Sequence, residues 1–568
     1  MKDLTTGNPF KLILFFAFPV FVGCVFQQLY NMVDTIIVGN TVGPDAFTGV
    51  GLTGSITFLV VGSMNGLTSG FSVKVAQAFG AGDENGVRRA VGMSYLLSIA
   101  IAVLVTAVAA PLTGALLRLM QTPAAYYDYA YYYLLVIFCG IPATVFYNIV
   151  AGLLRAVGDS KTPLYFLVFS AVLNVGLDFL FILVFRMFYT GAAFATVLSQ
   201  LVSGALCLIV ALRRYPLLRP AKSDFKWNSR LAGGHLAQGL PMALQFSITA
   251  IGCMVQQTAL NGLDAALPGV VTAYTAAAKI DNIATQTFVS LGTAMATYAG
   301  QNYGARKFDR IRKGVLVGMI YSAVSVGIGF AFDIGLCGPL MRLFLNTDLS
   351  SNVAAHYDEV LAYGRQYLLW QSSFYIFLGA IYVYRNALQG IGRSFVTTFA
   401  GATELVGRVV ASLLFVRFWG FTGICTSNVA AWIAAVIFLV TYTICMHREK
   451  VAEHSGDKPR RRLRLHRRAL LEKKASDQVL HGTSPCAGKF FFCPKNGRAG
   501  KENGWAGKGG TGKGAKRGAR NHVRKPPRTQ RGAKRRRGVE RGTIQGRAKK
   551  QGRAEKYKSG EGISGDLG

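Results

Sequence analysis

Five acidic residues lie within long apolar stretches of this 568-residue chain: Asp34, Asp178, Asp281, Asp333 and Glu404. A charged side chain at the centre of a bilayer costs at least about 2.5–3.5 kcal/mol on insertion scales, so such residues are rare in membrane segments. Where they occur, they commonly mark the path of an ion, a proton or a substrate. Each of the five is therefore a candidate functional residue.

Two of these carboxylates belong to a set of oxygen-bearing side chains. Asn174 precedes Asp178 by four residues, so both occupy one face of a helix. Thr196 lies in the next apolar stretch, and the short turn after Arg186 makes the two stretches antiparallel neighbours. With Asp34, the set offers the hard oxygen ligands that suit a small cation or a proton. The alternative for Asn174 and Asp178 is a hydrogen bond that only packs helices together.

A second group of charged residues lies in the C-terminal half of the chain. Glu404 and Arg408 are four residues apart in the order that favours a helical ion pair, which predicts a structural pair. Lys279 and Asp281 are two residues apart and point in different directions, so they need separate partners or a wet cavity. These four are secondary cavity candidates. Asp333 is expected at the membrane interface, close to the external end of its stretch.

The elements that must position these residues are about twelve apolar runs, each long enough to cross a hydrocarbon core of about 30 Å. Lipid offers no partner for free backbone groups, so each run must be helical. The predicted fold class is an all-α polytopic membrane protein. The predicted spans are 12–38, 47–72, 89–111, 127–150, 163–186, 190–212, 240–261, 268–298, 314–336, 360–384, 395–417 and 420–446.

The basic residues between these runs predict the orientation of the chain. If the N-terminus is cytoplasmic, the inside segments carry 20 Lys and Arg residues, and the outside segments carry only Arg118, Arg186, Arg342 and Arg417. Cytoplasmic loops are enriched in Lys and Arg, so this bias indicates a multi-pass protein of the cell inner (plasma) membrane with both termini in the cytoplasm.

The chain also repeats itself, which predicts an N-terminal lobe at 1–212, a basic cytoplasmic linker at 213–239 and a C-terminal lobe at 240–446. Each lobe has six spans, so the repeat is parallel, as in carriers whose paired halves enclose a central cavity. A duplication retained only for packing is the alternative. The matching segments are "QQLYNMVD" (27–34) with "QQTALNGLD" (256–264), "QAFGAGDENGVRRAV" (77–91) with "QNYGARKFDRIRKGV" (301–315), and "LRAVGDS" (154–160) with "LQGIGRS" (388–394).

Residues 1–446 resemble the multidrug and toxic compound extrusion (MATE) family over their full length. The resemblance implies two pseudo-symmetric six-helix lobes and the export of organic cations, driven by inward movement of sodium ions or protons. The motifs that carry it are "YNMVDTIIVGNTVGPDAFTGVGLTGS", "GFSVKVAQAFGAGD", "GLLRAVGDSKTPLYFLVFSAVLNVGLDFLFI" and "AAAKIDNIATQTFVSLGTAMATYAGQNYGA".

The resemblance also assigns roles to residues. One branch of the family carries a Glu about eight residues after the seventh-helix Pro, but after Pro241 this chain has Thr249 at that spacing. The resemblance is therefore to the prokaryotic branch that lacks this acidic residue. In that branch a first-helix Asp, a fifth-helix Asn-x-x-x-Asp and a sixth-helix Thr bind the coupling cation. These positions are Asp34, Asn174, Asp178 and Thr196.

The function that follows is a secondary active antiporter, exporting amphipathic, cationic small molecules in exchange for Na⁺ or H⁺. The oxygen ligands serve either ion, so the coupling ion stays open, and we expect no cofactor and no metal beyond Na⁺ at this site. The alternative within transport is a flippase for lipid-linked saccharides of the same superfamily. A membrane receptor or scaffold is a further alternative. We find no nucleophile, metal cluster or nucleotide motif that indicates an enzyme, and we expect a monomer.

Residues 447–568 form a basic tail outside the resemblance, with 35 Lys and Arg against 10 Asp and Glu. Few large apolar residues are present, so we expect disorder. The stretch "GKGGTGKG" (507–514) nearly matches a phosphate-binding loop but has Gly514 where Ser or Thr is required. Basic runs at 459–468 and 534–538 suit anionic lipid or nucleic acid. An out-of-frame or read-through extension is the third interpretation; nucleic-acid binding is not expected of the body.

Overall fold

The computed structural model describes residues 3–41, 49–120, 122–263, 266–345 and 357–454, and within these ranges the regular secondary structure is helical throughout. We number the α-helices of nine residues or more in chain order. They are α1 Pro9–Thr41, α2 Gly54–Gly80, α3 Glu84–Leu119, α4 Ala124–Cys139, α5 Ile141–Ala156, α6 Lys161–Phe179, α7 Phe188–Arg214, α8 Ser229–Asn261, α9 Val270–Gly304, α10 Phe308–Gly335, α11 Cys337–Leu345, α12 Tyr357–Ser373, α13 Tyr375–Gly390, α14 Ser394–Val410 and α15 Phe421–His454.

Twelve helical rods long enough to span a membrane can be traced through the described residues. Nine are single helices of the required length and hydropathy, and a tenth is the pair α4 and α5, which bends by 47°. The remaining two are α9, which is 35 residues long but rich in polar residues, and the pair α12 and α13, which is interrupted at Phe374. The predicted fold of twelve transmembrane helices in two six-helix lobes is confirmed.

The connection between the lobes is shorter than the predicted linker of residues 213–239. Helix α7 continues to Arg214, and α8 already begins at Ser229. The side chain of Asn228 starts α8 by accepting a hydrogen bond from the backbone N–H of Leu231 at 3.0 Å. Such N-caps satisfy a donor that the first helical turn leaves free. The sequence-based boundary was late because residues 229–239, about three turns of α8, mix polar residues and glycines with a few apolar ones and do not count as an apolar run.

The two lobes pack directly against each other along α2 and α8, and along α1 and α9. Glycines permit the closest approach. A Cβ atom on Gly66 would lie 2.6 Å from the carbonyl oxygen of Met242, and one on Gly70 would lie 2.5 Å from the Cα of Gly239. Small residues that let helix backbones approach closely are typical of transmembrane interfaces. The glycines on α2 therefore fix the contact between the lobes.

Each lobe contains one π-helical turn at a corresponding position. Leu180–Val184 continues α6 in the first lobe, and Ala411–Phe415 continues α14 in the second. Single π turns within α-helices are rare and occur frequently at functional sites, because they re-aim the neighbouring side chains. Asp178 lies two residues before the first π turn and Arg408 three residues before the second. The fold thus places the two charged clusters of the sequence at equivalent points of the repeat.

Candidate functional site

The first-lobe candidates lie where α6 packs against α7 and α1. Asn174 and Asp178 on α6 are buried, with relative exposures of 1% and 0%. The Nδ2 of Asn174 donates a long hydrogen bond of 3.5 Å to Oγ1 of Thr196 on α7. The structure therefore brings three of the four predicted cation ligands onto adjoining helix faces. Asp34 lies in α1, which packs against α6, but its side chain is outside the described residues.

An oxygen atom of this site is available for a ligand. Oδ1 of Asn174 is buried and has no hydrogen-bond partner in the described part of the chain. Buried polar atoms in native proteins nearly always have a partner, so an exception calls for an explanation such as a bound ion or water. A buried amide oxygen beside the Asp178 carboxylate and the Thr196 hydroxyl can coordinate a small hard cation. This is the chemistry that the residue types allow.

The second-lobe candidates Glu404 and Arg408 form the predicted ion pair and recruit a third residue. Arg408 Nη2 lies 3.1 Å from Glu404 Oε1, and Arg385 Nη1 lies 3.5 Å from Glu404 Oε2. The three side chains are only 6–12% exposed. Arg385 follows the predicted span 360–384 directly, and α13 extends past it to Gly390. The cluster therefore places two guanidinium groups against one carboxylate within the bundle.

Lys279 and Asp281 have separate environments, as their spacing predicts. Lys279 is exposed, whereas Asp281 accepts a hydrogen bond of 2.6 Å from the hydroxyl of Tyr375 on α13. Asp333 lies two residues before the end of α10, and its interfacial depth stays a prediction. Its side chain is fully buried, and its Oδ2 also lies 2.6 Å from the Tyr375 hydroxyl. Sequence reasoning missed this cluster because its members come from three helices whose mutual placement no local pattern encodes.

The lobes close against each other at the end of the bundle that carries the basic connections 215–228 and 305–307, which we call the basic end. Nε2 of Gln77 on α2 donates to the carbonyl oxygen of Gly390 at 2.8 Å. Nε2 of Gln301 on α9 donates to the carbonyl oxygen of Ala156 at 2.8 Å. Gln77 matches Gln301 in the sequence repeat, and Ala156 matches Gly390. We call the two side chains the glutamine pair, since they make the same bond to the opposite lobe.

Two repeat-related glycines allow this closure. A Cβ atom on Gly80, at the end of α2, would collide with the backbone carbonyl of Gln301. A Cβ atom on Gly304, at the end of α9, would collide with that of Gln77. The N-terminal segment adds to the contact, because the backbone N–H of Leu4 donates to Oε1 of Gln301 at 2.9 Å. The basic end is therefore closed by direct backbone and side-chain contacts between the lobes.

A buried carboxylate at the basic end organises the start of α6. Asp159 accepts hydrogen bonds from the backbone N–H groups of Lys161 and Thr162, at 3.0 and 3.1 Å, and from the hydroxyls of Thr162 and Tyr215, both at 2.6 Å. Burial alone would raise the pKa of Asp159, but these four bonds hold that pKa below its ordinary value. Burial and the adjacent Asp159 raise the pKa of Tyr215 to about 12. Asp159 is thus ionised at neutral pH and ties α6 to the end of α7.

Comparison with known protein families identifies the chain. The family MatE matches residues 19–180 and 241–414, which is one segment in each lobe. The chain belongs to the MatE family. Its relatives in this family include "Probable multidrug resistance protein YpnP" of Bacillus subtilis, which is 30% identical over 392 residues, covering 69% of this chain and 84% of that protein.

Other MatE relatives carry different names. "Probable multidrug resistance protein NorM" of Thermotoga maritima is 27% identical, over 59% of this chain and 72% of that protein. The "FAD transporter" of Shewanella oneidensis is 23% identical, over 69% of this chain and 85% of that protein. Among solved structures, an outward-facing multidrug resistance MATE family transporter of the MOP superfamily aligns with a TM-score of 0.72 at 23% identity, covering 78% of this chain and 98% of that one. This similarity confirms the fold.

Proposed function

We propose that this MatE protein is a secondary active multidrug exporter, which moves amphipathic, cationic small molecules outward in exchange for Na⁺ or H⁺. The observation that carries the proposal is the buried oxygen site on α6 and α7, formed by Asn174, Asp178 and Thr196. It lies inside a duplicated twelve-helix body that also supports alternating access. The names of the relatives YpnP and NorM support multidrug resistance as the role.

The contacts at the basic end support alternating access between two states. If this end faces the cytoplasm, as the distribution of basic residues predicts, the described conformation is closed to the cytoplasm. Opening it requires the bonds of Gln77 and Gln301 to the opposite lobe to break together, since the two are related by the repeat. Each hydrogen bond contributes about 0.5–1.5 kcal/mol net, which is small enough for reversible opening. The protein then exposes its cavity to one side at a time.

The coupling cation acts through the charge of Asp178 and Asp34. An ionised carboxylate inside the bundle costs several kcal/mol unless it is paired. A proton or Na⁺ bound beside Asn174 and Thr196 offsets this cost, so binding stabilises one arrangement of α6 and α7 relative to the other. A ligand shifts a conformational equilibrium by its difference in affinity for the two states. The cation gradient can therefore drive the transition that carries the substrate outward.

The experiment that tests the proposal measures dye transport by purified full-length protein in liposomes, with Na⁺ and H⁺ gradients imposed separately. We expect one of the gradients to drive accumulation of a cationic dye, and Asp178→Asn to abolish this accumulation. The matched control is Asp309→Asn, which removes an exposed carboxylate in a 3.8 Å surface pair with Arg312. If neither gradient drives transport by the wild type, the proposal is wrong. If Asp178→Asn behaves like the control, the site is elsewhere.

One observation favours a second candidate, the export of a small molecule with an anionic group. Arg385 and Arg408 outnumber Glu404 in the second-lobe cluster, and a guanidinium pair suits a carboxylate or phosphate. The name of the Shewanella oneidensis relative, an FAD transporter, supports testing this candidate. A flavin dinucleotide in the same liposome assay distinguishes the two. Transport of the dinucleotide, abolished by Arg385→Gln, with no transport of the cationic dye, would favour the second candidate.

A further inference from the structure

We propose that Asp281, Tyr375 and Asp333 form a proton-binding site in the second lobe, distinct from the Asn174–Asp178 site. The hydroxyl oxygen of Tyr375 on α13 lies 2.6 Å from Oδ1 of Asp281 on α9 and 2.6 Å from Oδ2 of Asp333 on α10. Three helices thus meet at one phenol group. The site goes beyond the proposed function, because it binds a proton whichever molecule the protein transports.

The number of protons requires one carboxyl group to be protonated. A phenol carries a single hydrogen, so Tyr375 can donate to only one of the two aspartates. The other contact, at 2.6 Å, is a normal O–H···O hydrogen-bond length and therefore needs a proton from the carboxyl side. Hard metal ions lie about 2.3–2.6 Å from each oxygen ligand, and one shared by both oxygens would push them further apart than this. The 2.6 Å distances between the Tyr375 oxygen and the two carboxyl oxygens therefore indicate a bound proton rather than a metal ion.

Burial indicates that Asp333 carries this proton. It is fully buried, and its second oxygen, Oδ1, has no hydrogen-bond partner among the described residues. An ionised carboxylate in that position would have one shared hydrogen bond to offset a large desolvation cost. Asp281 is only partly buried and can be ionised at lower cost. Neutral Asp333 therefore donates to Tyr375, which donates to the carboxylate of Asp281.

Aromatic rings form the immediate surroundings of the cluster. The rings of Phe288 and Trp432 cover Tyr375, at centroid distances of 5.6 and 6.4 Å. Neither Asp281 nor Asp333 is in an ion pair with any residue that the structure describes. The other titratable groups that interact with the two aspartates are Tyr274 on α9, Cys337 on α11, Tyr367 on α12 and Tyr382 on α13. The basic residues of α9 and α12 are Lys279 and Arg365.

The arrangement is also a relay from a buried to an accessible carboxyl group. As the O–H bond of Asp333 breaks, Tyr375 accepts that proton and passes its own to Asp281, which then releases it to water. The cluster changes from a net charge of −1 to −2, and two carboxylates are left with one donor between them. Like charges at this distance repel, so proton release favours separation of α10 from α9 and α13. Proton occupancy is thereby linked to the packing of the second lobe.

Infrared spectroscopy of the purified full-length protein in lipid nanodiscs tests the site without requiring transport. We expect a C=O stretching band of a protonated carboxyl group at neutral pH, lost in Asp333→Asn and shifted in Tyr375→Phe, which removes its hydrogen-bond partner. Asn at position 333 is neutral and can donate to Tyr375, so this variant should fold. The control Asp309→Asn should retain the band, because Asp309 is an exposed surface carboxylate paired with Arg312.

Two results would overturn the assignment. One is a band that persists unchanged in both Asp333→Asn and Tyr375→Phe. The other is a band that Na⁺ abolishes in the wild type at constant pH, which would make the cluster a sodium site. Loss of the band in Asp333→Asn together with absence of gradient-driven dye transport would uphold this site and reject the proposed exporter. The converse pattern would reject the site and leave the exporter standing.

Discussion

At Glu404, one carboxylate compensates two guanidinium groups inside the bundle, and the free energy of unfolding depends on it. We predict that Glu404→Gln lowers this free energy by about 3–5 kcal/mol, because Arg385 and Arg408 are left as buried charges without a countercharge. Denaturant unfolding of the purified protein in detergent measures the change. The exposed control Asp309→Asn should stay within about 0.5 kcal/mol of the wild type. Equal stability of the two variants would contradict the account of this cluster.

Asp159 gives a prediction for pH. Its pKa in the folded protein is held below the ordinary value, so its contribution to stability is present above the unfolded-state pKa of about 3.9 and is lost as pH falls through the folded-state pKa. We expect Asp159→Asn to cost about 1–3 kcal/mol at neutral pH, because the hydroxyls of Thr162 and Tyr215 lose a charged acceptor. Thermal unfolding at several pH values should show the difference shrinking on acidification. A difference that is constant with pH would show that Asp159 contributes no charge-dependent stability.

The residue types of the first-lobe site could be predicted from the sequence, whereas the partners in the second lobe could not. The four-residue spacing of Asn174 and Asp178, and of Glu404 and Arg408, fixes which side chains share a helix face. Arg385 and Tyr375 join their clusters through contacts between helices far apart in the chain. The burial of Asp333 depends on such a contact as well. Local spacing therefore identified the pair Glu404 and Arg408, whereas tertiary packing added Arg385 to it and assembled the whole Asp281–Tyr375–Asp333 cluster.

At the scale of the helices, Gly80 and Gly304 permit the basic end to close. We predict that Gly80→Ala or Gly304→Ala shifts the protein toward a state open at that end, since the new methyl group would meet a backbone carbonyl of the opposite lobe. A Cys at a position between the lobes at the basic end, reacted with a water-soluble maleimide, should label several-fold faster in either variant. The matched control is Gly233→Ala in α8, where an added Cβ meets no atom within 4 Å. Unchanged labelling would contradict the role of the glycines.

The glutamine pair makes a related prediction about symmetry. Gln77→Ala removes the bond to Gly390, whereas Gln301→Ala removes both the bond to Ala156 and the bond from Leu4, so we expect both variants to raise the labelling rate and Gln301→Ala to raise it more. A loss of about 1 kcal/mol corresponds to roughly a fivefold shift in the equilibrium between closed and open states. Gln257→Ala is the control, because among the described residues the side chain of Gln257 bonds to Asn261, one turn further along the same helix. An effect confined to one member of the pair would show that the lobes do not close symmetrically.

All twelve membrane-spanning helical rods could be predicted from the sequence, but the residues at which they begin and end could not. The apolar runs predict the number of spans, because a membrane span must be both long and apolar. Helix α8 begins at Ser229 rather than at the expected residue 240, because its first three turns or so are too polar to be read as an apolar run. Hydropathy does not indicate the break at Phe374 between α12 and α13, and it does not indicate the π turn after Asp178. These local features depend on how the helices pack, and they are the ones that place the charged clusters.

For the whole molecule, the twelve rods are complete before the basic tail. The last apolar span covers Phe421–Cys445, so we predict that truncation after His447 leaves gradient-driven transport unchanged at equal expression. Residues 455–568 lie outside the described residues. The interpretations of the tail as a lipid-binding, nucleic-acid-binding or unselected segment therefore stay predictions. Transport by the truncated protein in liposomes measures this, with the full-length chain as the reference. A several-fold loss of transport would show that the tail takes part in transport.

We propose that one cation-binding unit in the first lobe couples the gradient to transport. A double-mutant cycle tests this coupling. Gradient-driven dye transport is measured for Asp34→Asn, for Asp178→Asn and for the two substitutions combined. We expect each single variant to abolish coupling. We expect transport by the double variant to be no lower than that by either single variant, because both residues act on the same bound ion. Effects that simply add, or a greater sensitivity of Glu404→Gln than of either aspartate variant, would contradict it and move the ion pathway to the second lobe.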